Sequence, residues 1–507
     1  MPDLLHAGAS APMREHLERA ETARGRLRER RGDRWYPRFH IAAPAGWIND
    51  PNGLSYYRGR YQVYFQHNPF AAEHDSMHWG HVSSSDLVTW RHDPIALAPS
   101  TEEDRDGVYS GSAVVSDDGE LVVFFTGNRW CNGADDADGN LQVQCMAVSR
   151  DGIAFEKRGV VVDRPEGIAH FRDPKVWRTD GVWHMILGVC SADDRGEVWL
   201  YTSRDMRDWE FDRVLFRDPD PAAFMLECPD LFPLPTSEGD KWVLLYCPMG
   251  TKPSGYLARN GHNAGYVVGD WAPGRDFEQL TDYLPLDWGG QYYAPQTFEA
   301  PDGRRIAFAW MGSFTAPLAS EEDGWSGQLT VPRVLSLGDD LRLRSRPVEE
   351  LAGLRTESLE LGSFELAAEE DRVLLERVDA AEVELELDLA ASAAERVGLA
   401  VNKTPGGHET LVAYDDLARR VILDRRRAGH GDRGYRSAPC SGDRLTLRVL
   451  VDRASVEVFV NDGAEAITSF AFPAEGPRSI ELYAESGSAR VTRLAVHRIV
   501  SIWEGER

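Results

Sequence analysis

Short apolar runs separated by turn residues fill most of the chain. From about residue 36 onward, runs rich in Val, Leu, Phe, Tyr and Trp alternate with clusters of Gly, Asp, Asn and Pro. Clear examples are 61–66 (YQVYFQ), 121–126 (LVVFFT), 182–188 (VWHMILG) and 241–247 (KWVLLYC). Runs of this length between turn signals predict β-strands, so the pattern indicates an all-β architecture.

The N-terminal segment has a different composition. Residues 12–32 are dominated by Ala, Leu, Glu and Arg and end near Gly32, which predicts a short α-helix. Because this helix carries many charges and few apolar residues, we expect it to lie solvated on the surface. Residues 1–35 are therefore interpreted as an N-terminal helical extension.

An internal repeat refines the fold prediction. The pattern S-x-D-x-x-x-[W/F] occurs three times, at 84–90, 149–155 and 203–209. Each copy follows one strand-like run and precedes another, as expected of equivalent turns in repeated units. A unit of about 50–65 residues with several strands is typical of a β-propeller blade. Residues 36–345 have room for five such blades.

The last part of the chain has a period of two. Residues 346–369 are acidic and Leu-rich and are interpreted as a linker. Beyond them, 383–389 (VELELDL), 444–451 (RLTLRVLV) and 455–460 (SVEVFV) alternate apolar and polar positions, which predicts a β-sandwich over 370–507. The predicted fold is all-β: a short N-terminal helix, a five-bladed β-propeller and a C-terminal β-sandwich.

Charge and composition exclude several classes of partner. The 507 residues contain 56 Lys and Arg against 82 Asp and Glu, a net charge of −26 that disfavours nucleic acids and anionic membranes. Six cysteines without a C-x-x-C pair do not indicate a zinc site. No apolar run approaches the roughly 18 residues of a membrane span, and Met1–Ser10 lacks signal-peptide features. We therefore expect a cytoplasmic protein that acts on a small sugar and can form a homo-oligomer.

Three carboxylates in unusual settings are candidates for chemistry. Asp50 lies in the turn 47–53 (WINDPNG), Asp173 has cationic neighbours that would hold it ionised, and apolar neighbours would raise the pKa of Glu227. Two carboxylates with opposed environments form the usual constellation for glycoside cleavage. From the residues alone, a solvated turn carboxylate is the alternative interpretation of Asp50 and of Glu227.

A second copy of one motif competes for the same role. Asp218 stands in the tetrapeptide 216–219 (FRDP), which repeats the four letters around Asp173. Asp173 leads into the strand-like residues 176–177, whereas Asp218 leads into another turn. The start of a strand suits a fixed site residue better, so Asp173 is favoured, although spacing alone does not separate the two.

Taken in order, these motifs carry a resemblance to a known family. WINDPNG, then FRDPKV, then ECPDLF resemble glycoside hydrolase family 32, the β-fructofuranosidases, which include invertase and sucrose-6-phosphate hydrolase. Further similar segments are YQVYFQHNP (61–69), MHWGH (77–81), YSGSAV (109–114), YYAPQTF (292–298), FAWMG (308–312), GWSGQLTVPR (324–333) and LVDRASVEVFVNDG (450–463). The resemblance covers roughly residues 36–500.

The resemblance implies a five-bladed propeller joined to a β-sandwich, and a retaining mechanism without metal or other cofactor. Asp50 would be the nucleophile that forms a covalent fructosyl-enzyme, Glu227 the acid/base and Asp173 the transition-state stabiliser. It also resolves the choice between the two FRDP copies in favour of Asp173. Residues implied to bind the sugar are Asn49, Gln66, Trp79, Tyr109, Ser110, Arg172, Tyr293 and Trp310.

One position departs from the family pattern. Bacterial members similar to this chain often have W-G-x-M-H-W-G-H, and His74 stands here in place of the first Trp, which usually walls the fructose pocket. A metal role for His74, His78 and His81 is the weaker interpretation, because the MHWGH segment matches a family that needs no metal.

The leading functional hypothesis is hydrolysis of terminal β-D-fructofuranosyl bonds in sucrose and short fructooligosaccharides. Hydrolysis of sucrose 6-phosphate is an alternative that requires a phosphate pocket, which must be built from Arg because only five residues are Lys. Fructosyl transfer to a sugar acceptor is a second alternative. A non-catalytic fructan-binding protein is disfavoured because all three carboxylates are present.

Overall fold

The computed structural model describes residues 9–505. The first eight residues of the predicted helical extension and the last two of the predicted sandwich domain lie outside the described residues. The described part contains one α-helix followed by β-strands and three short 3₁₀ helices. The 3₁₀ helices are Asp136–Asp138, Ala319–Asp323 and Glu349–Leu354. No helix in residues 9–505 combines the length and apolar character needed to cross a bilayer.

The predicted N-terminal helix is present as α1 (Ala11–Arg28), four residues shorter at its C-terminal end than expected. Ser10 caps its start, where the Ser10 hydroxyl accepts a hydrogen bond from the backbone N–H of Met13 at 3.4 Å. Met13 and Leu17 are buried against the second blade of the propeller and its neighbour. The helix is therefore attached by one narrow apolar stripe and is otherwise solvated, as its composition predicts.

The next 23 strands build five antiparallel sheets of the propeller. Blade 1 contains β1 (Gly46–Tyr57), β2 (Arg60–Asn68), β3 (His78–Ser84) and β4 (Trp90–His92). Blade 2 contains β5 (Val108–Val115), β6 (Leu121–Trp130), β7 (Asn140–Ser149) and β8 (Phe155–Val162). Blade 3 contains β9 (His170–Thr179), β10 (Val182–Cys190), β11 (Gly196–Ser203) and β12 (Trp209–Arg217).

The last two blades include shorter strands. Blade 4 contains β13 (Met225–Thr236), β14 (Gly239–Met249), β15 (Gly265–Asp270), β16 (Glu278–Gln279) and β17 (Leu284–Pro285). Blade 5 contains β18 (Tyr293–Glu299), β19 (Arg305–Met311), β21 (Gln328–Leu329), β22 (Arg333–Leu337) and β23 (Leu343–Pro347). The remaining strand of this region, β20 (Trp325–Ser326), pairs in parallel with β1 of blade 1.

The first strands of the five blades form a closed ring. β1 contacts β5, β5 contacts β9, β9 contacts β13, β13 contacts β18, and β18 returns to β1. Closure places residues far apart in sequence around one central channel. The five-bladed propeller predicted from the sequence is confirmed.

The repeat found in the sequence occupies equivalent turns. All three copies join the third strand of a blade to its outermost strand, in blades 1, 2 and 3. In each copy the Asp carboxylate caps the turn: Asp86, Asp151 and Asp205 each accept bonds from backbone N–H groups two and three residues ahead. The repeat is thus a structural turn of the blade and carries no chemistry.

The C-terminal unit is a sandwich of two sheets. Its strands are β24 (Arg355–Leu361), β25 (Phe364–Leu366), β26 (Asp371–Glu376), β27 (Ala381–Asp388), β28 (Arg396–Lys403), β29 (Glu409–Asp415), β30 (Arg420–Arg427), β31 (Tyr435–Pro439), β32 (Arg444–Val451), β33 (Ser455–Val460), β34 (Glu465–Phe470), β35 (Ser479–Glu485) and β36 (Ala489–Ile499). One sheet has the order β24-β36-β27-β32-β33-β34, with β25 beside β36, and the other has the order β26-β35-β28-β29-β30-β31.

The segment predicted as a linker is part of this sandwich. Within 346–369, both β24 and β25 pair antiparallel with β36, so the prediction of a linker over these residues is wrong. Its residues are mostly exposed because β24 is an edge strand without a single buried position. An edge strand with few buried positions has the same acidic, weakly patterned sequence as a linker.

A buried ionic network joins the propeller to the sandwich. His40 lies between two sandwich carboxylates, with 2.8 Å from Nδ1 to Asp452 and 2.8 Å from Nε2 to Glu457. Glu457 also pairs with the Arg333 guanidinium, whose Nη1 donates to Asp287 at 3.0 Å. All five side chains are buried, so each charge relies on its partners in place of water.

This network predicts a pH-dependent stability. Burial lowers the pKa of His40, but the bonds to Asp452 and Glu457 outweigh burial and raise the pKa from 6.5 to about 9. Because the folded pKa lies above the unfolded one, the stabilisation is complete below about pH 6.5 and is lost as the pH rises through about 9. We expect His40→Gln to lower the unfolding free energy by about 3–5 kcal/mol at low pH.

The measurement is chemical denaturation of wild type and His40→Gln across this pH range. The gap between the two proteins should shrink markedly by about pH 10, where wild-type His40 is neutral in both states. A gap that stays constant with pH would show that His40 contributes by packing and not by charge.

Candidate active site

The five inner strands of the propeller share a local irregularity at one end of the channel. Each strand shifts register there against its neighbour, at 48–51, 108–111, 172–175, 227–230 and 293–296. Four of the five irregularities contain a proline, which has no N–H for the ladder. A bulge of this kind re-aims the side chains beside it. In blades 3, 4 and 5 the residue before proline has a positive φ: 65° at Asp173, 51° at Cys228 and 49° at Ala294.

These bulges surround a cavity of about 450 Å³. It brings together nine of the eleven residues predicted for the site: Asn49, Asp50, Gln66, Tyr109, Ser110, Arg172, Asp173, Glu227 and Tyr293. They come from all five inner strands and from β2. The three carboxyl groups and one guanidinium among these nine residues can bind a polar ligand and exchange protons with it.

Asp50 is held from three sides. Its Oδ2 accepts a hydrogen bond from the Ser110 hydroxyl at 2.6 Å and lies 3.5 Å from the Cys228 sulfur. Its Oδ1 accepts from Asn49 Nδ2 at 3.1 Å, and the Asn49 amide is in turn fixed by Trp47 Nε1 at 2.8 Å. Burial raises the pKa of Asp50, and the bonds from Ser110 and Asn49 oppose that rise. A carboxylate with fixed orientation and an unshielded face suits nucleophilic attack.

Asp173 is tied to the neighbouring inner strand. Its Oδ2 accepts a hydrogen bond from the Cys228 backbone N–H at 2.9 Å and lies 3.6 Å from the Cys228 sulfur. Burial raises the pKa of Asp173 to about 7, against the opposing charge of Arg172 and with further contributions from Glu227 and Asp50. Cys228 thus contacts both aspartates and sets their spacing.

The expectation that cationic neighbours hold Asp173 ionised is wrong. The nearest contact of the Arg172 guanidinium with Asp173 is 3.9 Å, because Arg172 turns towards Glu227. Lys175 points away and pairs with Asp230 at 2.9 Å. Arg172 and Asp173 both line the cavity, but the Arg172 guanidinium makes its short contact with Glu227 on the next blade.

The environment of Glu227 also differs from the prediction. Burial does raise the pKa of Glu227, as its apolar sequence neighbours suggested. The Arg172 guanidinium, 2.6 Å from Oε1, and the Tyr293 hydroxyl, which donates to Oε2, outweigh burial and lower the pKa from its usual value. Both partners come from other blades, which explains why local sequence gave the wrong sign.

Two predicted sugar contacts lie outside the cavity. Trp79 is fully buried and its Nε1 donates to the Tyr109 backbone carbonyl at 3.0 Å. Trp310 is 1% exposed and packs behind Trp47 and Phe314, with ring centroids 5.5 and 4.5 Å apart. Neither indole lines this cavity: Trp79 supports Tyr109 from behind, and Trp310 lines a neighbouring cavity together with Phe314.

His74 takes the position expected from the departure in sequence. Its ring lies at the rim, edge-on to Trp47 at 5.9 Å and to Phe314 at 5.3 Å. The protein atoms packed around its ring lower the pKa of His74 from its usual value. The other two histidines of the cluster are committed elsewhere, His78 to the Ser76 carbonyl and His81 to the Gln62 side chain. Among the described residues no group of three or more His, Cys, Asp or Glu side chains is placed to hold a metal.

The structure separates the two FRDP copies. Asp218 follows β12, the outermost strand of blade 3, where its Oδ1 accepts a hydrogen bond from the Asp220 N–H at 2.8 Å. Asp173 lies on the innermost strand of the same blade and lines the cavity.

We therefore expect Asp218→Asn to leave catalysis almost unchanged, because its carboxylate does not reach the pocket. Initial rates on sucrose for this variant and for Asp173→Asn, measured side by side, check the assignment. An inactive Asp218→Asn together with an active Asp173→Asn would reverse it.

Comparison with known proteins agrees with this site. The model of the glycosyl hydrolases family 32 N-terminal domain matches residues 40–347, and that of the family 32 C-terminal domain matches residues 350–498. The chain belongs to glycosyl hydrolase family 32. Two relatives from Escherichia coli, a sucrose-6-phosphate hydrolase and a raffinose invertase, are each 42% identical. The alignments cover 93% and 95% of this chain and 97% and 98% of the relatives.

A solved structure extends the comparison to the whole fold. A mutant of the Bombyx mori GH32 β-fructofuranosidase, in complex with sucrose, is 30% identical and superposes with a TM-score of 0.84. The match covers 96% of this chain and 99% of that one. This family 32 hydrolase is thus a β-fructofuranosidase-type enzyme with the propeller and sandwich of its relatives.

The family 32 pocket contains residues that the sequence analysis missed. Gln142 accepts bonds from the Arg172 side chain at 3.4 Å and from the Phe171 N–H at 3.0 Å. His262 and Phe314 line the rim, 5.2 Å apart between ring centroids. Gln142 lies on β7 of blade 2. His262 and Phe314 lie in loops that contain no recognised motif. The one signal in the sequence for Phe314 is its position two residues after the FAWMG segment (308–312).

Proposed function

We propose that this enzyme hydrolyses the terminal β-D-fructofuranosyl bond of sucrose and short fructooligosaccharides through a covalent fructosyl-enzyme. The observation that carries the proposal is the meeting of Asp50 and Glu227 in one cavity, with Asp173 beside both. A retaining glycosidase needs two carboxyl groups at one sugar site, one as nucleophile and one as acid/base. The family supports the same reaction class.

In the first step, Asp50 Oδ attacks the anomeric carbon of the fructosyl unit while the bond to the leaving sugar breaks. Glu227 donates its proton to the leaving oxygen, so a neutral sugar departs and Glu227 becomes a carboxylate. In the second step, Glu227 takes a proton from water, and the hydroxide formed displaces Asp50 from the anomeric carbon. Fructose leaves and both side chains return to their starting states.

The residues around the pair hold the fructosyl unit. We assign Asp173 to bonds with its hydroxyl groups, which strengthen as positive charge develops on the ring. Ser110 and Asn49 keep Asp50 oriented for attack, since each donates a hydrogen bond to a different carboxylate oxygen. Gln66 is anchored to the Val108 carbonyl at 3.0 Å and completes the pocket floor.

The proton of Glu227 depends on Arg172. In the pocket as described, Arg172 lowers the pKa of Glu227, whereas burial raises the pKa values of Asp50 and Asp173. We infer that bound sugar draws Arg172 away from Glu227 by offering it hydroxyl acceptors. The pKa of Glu227 then rises, so that Glu227 is protonated and able to act as a general acid only when a substrate is bound.

Product analysis tests the proposal. Purified protein is given sucrose, 1-kestose, inulin and sucrose 6-phosphate in parallel, with Asp50→Asn as the control. We expect rapid release of fructose from the small substrates, slow release from inulin, and none from the control. Trisaccharide formed at high sucrose concentration would measure the share of fructosyl transfer. A folded wild-type protein that releases no fructose from any substrate would refute the proposal.

We also propose that the enzyme works in the cytoplasm on transported sugar. An enzyme in the cytoplasm receives only sugar that has been carried across the membrane, which favours short substrates over polymers. Fractionation of cells that produce the protein, with fructose release assayed in each fraction, tests this location.

A further inference from the structure

A second cavity adjoins the active site between the propeller and the sandwich. The two cavities share three residues, His262, Tyr293 and Phe314. Tyr293 donates a hydrogen bond to Glu227, and the centroid of its ring is 5.1 Å from that of His262. Because Glu227 is assigned to protonate the leaving oxygen, the leaving sugar lies on this side of the pocket. The second cavity is therefore the space that the far end of the leaving sugar enters.

The lining of this second cavity is basic. It contains three arginines, Arg259 from the loop between β14 and β15, Arg425 from β30 and Arg436 from β31, and a single carboxylate, Asp432. Asp432 pairs with Arg425 at 3.1 Å, which leaves Arg259 and Arg436 without a carboxylate partner in the described residues, although the chain as a whole has more Asp and Glu (82) than Lys and Arg (56). Basic groups left without carboxylates indicate an anionic ligand.

Arg425 and Arg259 each retain guanidinium nitrogens without a hydrogen-bond partner in the described residues. Arg425 is 2% exposed; its terminal nitrogens donate to the Phe470 carbonyl and to Asp432, each at 3.1 Å, and only its Nε is buried without a hydrogen-bond partner. Arg259 uses Nε on the Gly255 carbonyl at 2.6 Å, and across the described residues neither of its terminal nitrogens has a partner. Buried N–H groups without acceptors are costly, and a ligand that accepts from them recovers that cost.

Arg436 fixes the loop that carries Arg259. It donates to the Arg259 carbonyl at 3.1 Å and to Asn260 Oδ1 at 2.8 Å. No carboxylate in the described residues lies within ion-pair distance of Arg436, and burial together with Arg425 lowers its pKa. The sandwich thereby builds one wall of the cavity and sets the position of the propeller loop.

The opposite rim of the active site has the reverse charge. Asp75, Asp106, Asp135 and Asp136 line the active-site cavity on the side of blades 1 and 2. An anionic group on the substrate is repelled there and attracted to the arginines on the other side. The charge asymmetry thus orients a substrate whose leaving sugar is negatively charged.

We propose that Arg259, Arg425 and Arg436 bind a phosphomonoester on the leaving sugar, as in the glucosyl 6-phosphate of sucrose 6-phosphate. Arginine forks match phosphate oxygens in geometry and charge. This inference rests on the proposed hydrolysis of fructosyl bonds and names the preferred substrate class of the same site. It also gives the sandwich a direct part in substrate recognition.

The kinetic test uses Arg259→Gln, since Arg259 is exposed and its loss threatens the fold least. Arg419→Gln is the matched control, an exposed arginine that also donates to a backbone carbonyl, that of Gly442 at 2.9 Å, far from the cavity. We expect Arg259→Gln to lower kcat/KM for sucrose 6-phosphate by about 10- to 100-fold. The value for sucrose should not change, and the control should match wild type on both substrates.

Two results would overturn the proposal. One is an equal fall of kcat/KM on both substrates, which would mean that Arg259 only supports the fold. The other is full retention of activity on sucrose 6-phosphate by Arg259→Gln and by Arg259→Glu. The proposal is supported if the ratio of kcat/KM for sucrose to kcat/KM for sucrose 6-phosphate is higher in Arg259→Gln than in wild type.

A binding experiment separates this proposal from the proposed function. Glucose 6-phosphate, glucose and inorganic phosphate are titrated calorimetrically into Asp50→Asn, with and without Arg259→Gln. We expect glucose 6-phosphate to bind more tightly than either other ligand, and the added substitution to remove that advantage. This outcome supports the site even if no fructose is released from any substrate. Equal binding of glucose and glucose 6-phosphate, or binding of phosphate alone, would refute a leaving-sugar phosphate site.

Discussion

Asp50→Asn is expected to lower the turnover of sucrose by about 10⁴-fold or more, because loss of a covalent nucleophile removes the whole pathway. Asn has the size of Asp, and its amide oxygen can still accept the Ser110 hydrogen bond now made at 2.6 Å. The fold and the affinity for sugar should therefore persist. Steady-state rates measured together with thermal unfolding separate lost chemistry from lost structure.

The covalent intermediate gives a second measurement of the same role. Wild-type enzyme quenched in acid during turnover should carry one added fructosyl unit on the peptide that contains Asp50, detectable by mass spectrometry. Asp50→Asn should carry none. A label on a peptide containing Asp173, or undiminished turnover by Asp50→Asn, would assign the nucleophile to another carboxylate.

Glu227→Gln is expected to have the next largest effect, a fall in kcat of about 10²- to 10⁴-fold on sucrose. The amide has no proton to give to the leaving oxygen. A substrate with a good leaving group needs no such proton, so an activated aryl β-fructofuranoside should lose much less activity. The ratio of the two losses measures how much of the role of Glu227 is acid catalysis.

Rescue and pH profiles sharpen this second prediction. Azide attacks the fructosyl-enzyme without a general base, so it should accelerate Glu227→Gln on the activated substrate and yield fructosyl azide. Wild type should lose activity towards high pH as Glu227 loses its proton, and the variant should lack that limb. Equal losses on both substrates, with no effect of azide, would contradict the acid/base assignment.

Motifs that act locally could be predicted from sequence. The S-x-D turns identified repeated blades because Asp86 and its equivalents bond to groups no more than three residues away along the chain. The motifs around Asp50, Asp173 and Glu227 were found for a similar reason, because each contains a proline where the strand has a bulge. The period of two in the sandwich likewise needs no tertiary information.

Side-chain orientation was predicted less well. Trp79 and Trp310 belong to motifs of the resemblance, yet neither indole lines the active-site cavity: Trp79 lies behind Tyr109, and Trp310 lines the adjoining cavity. Strands buried on both faces are apolar throughout, so their sequence does not tell which face points into the channel. The predicted linker failed in the opposite way, because the exposed edge strand β24 has no buried face to mark it.

The sequence by itself determines which residues could react. The strands, the turns, the five blades and the three carboxylates can each be recognised in a short stretch of sequence. Their protonation and their partners depend on contacts between blades. Arg172 on β9 lowers the pKa of Glu227 on β13. Cys228 on β13 contacts both Asp50 on β1 and Asp173 on β9. Electrostatic energies depend on distance and burial, which only the folded chain defines. The arginine-lined cavity is the clearest case, since its three cations are contributed by a propeller loop and two sandwich strands.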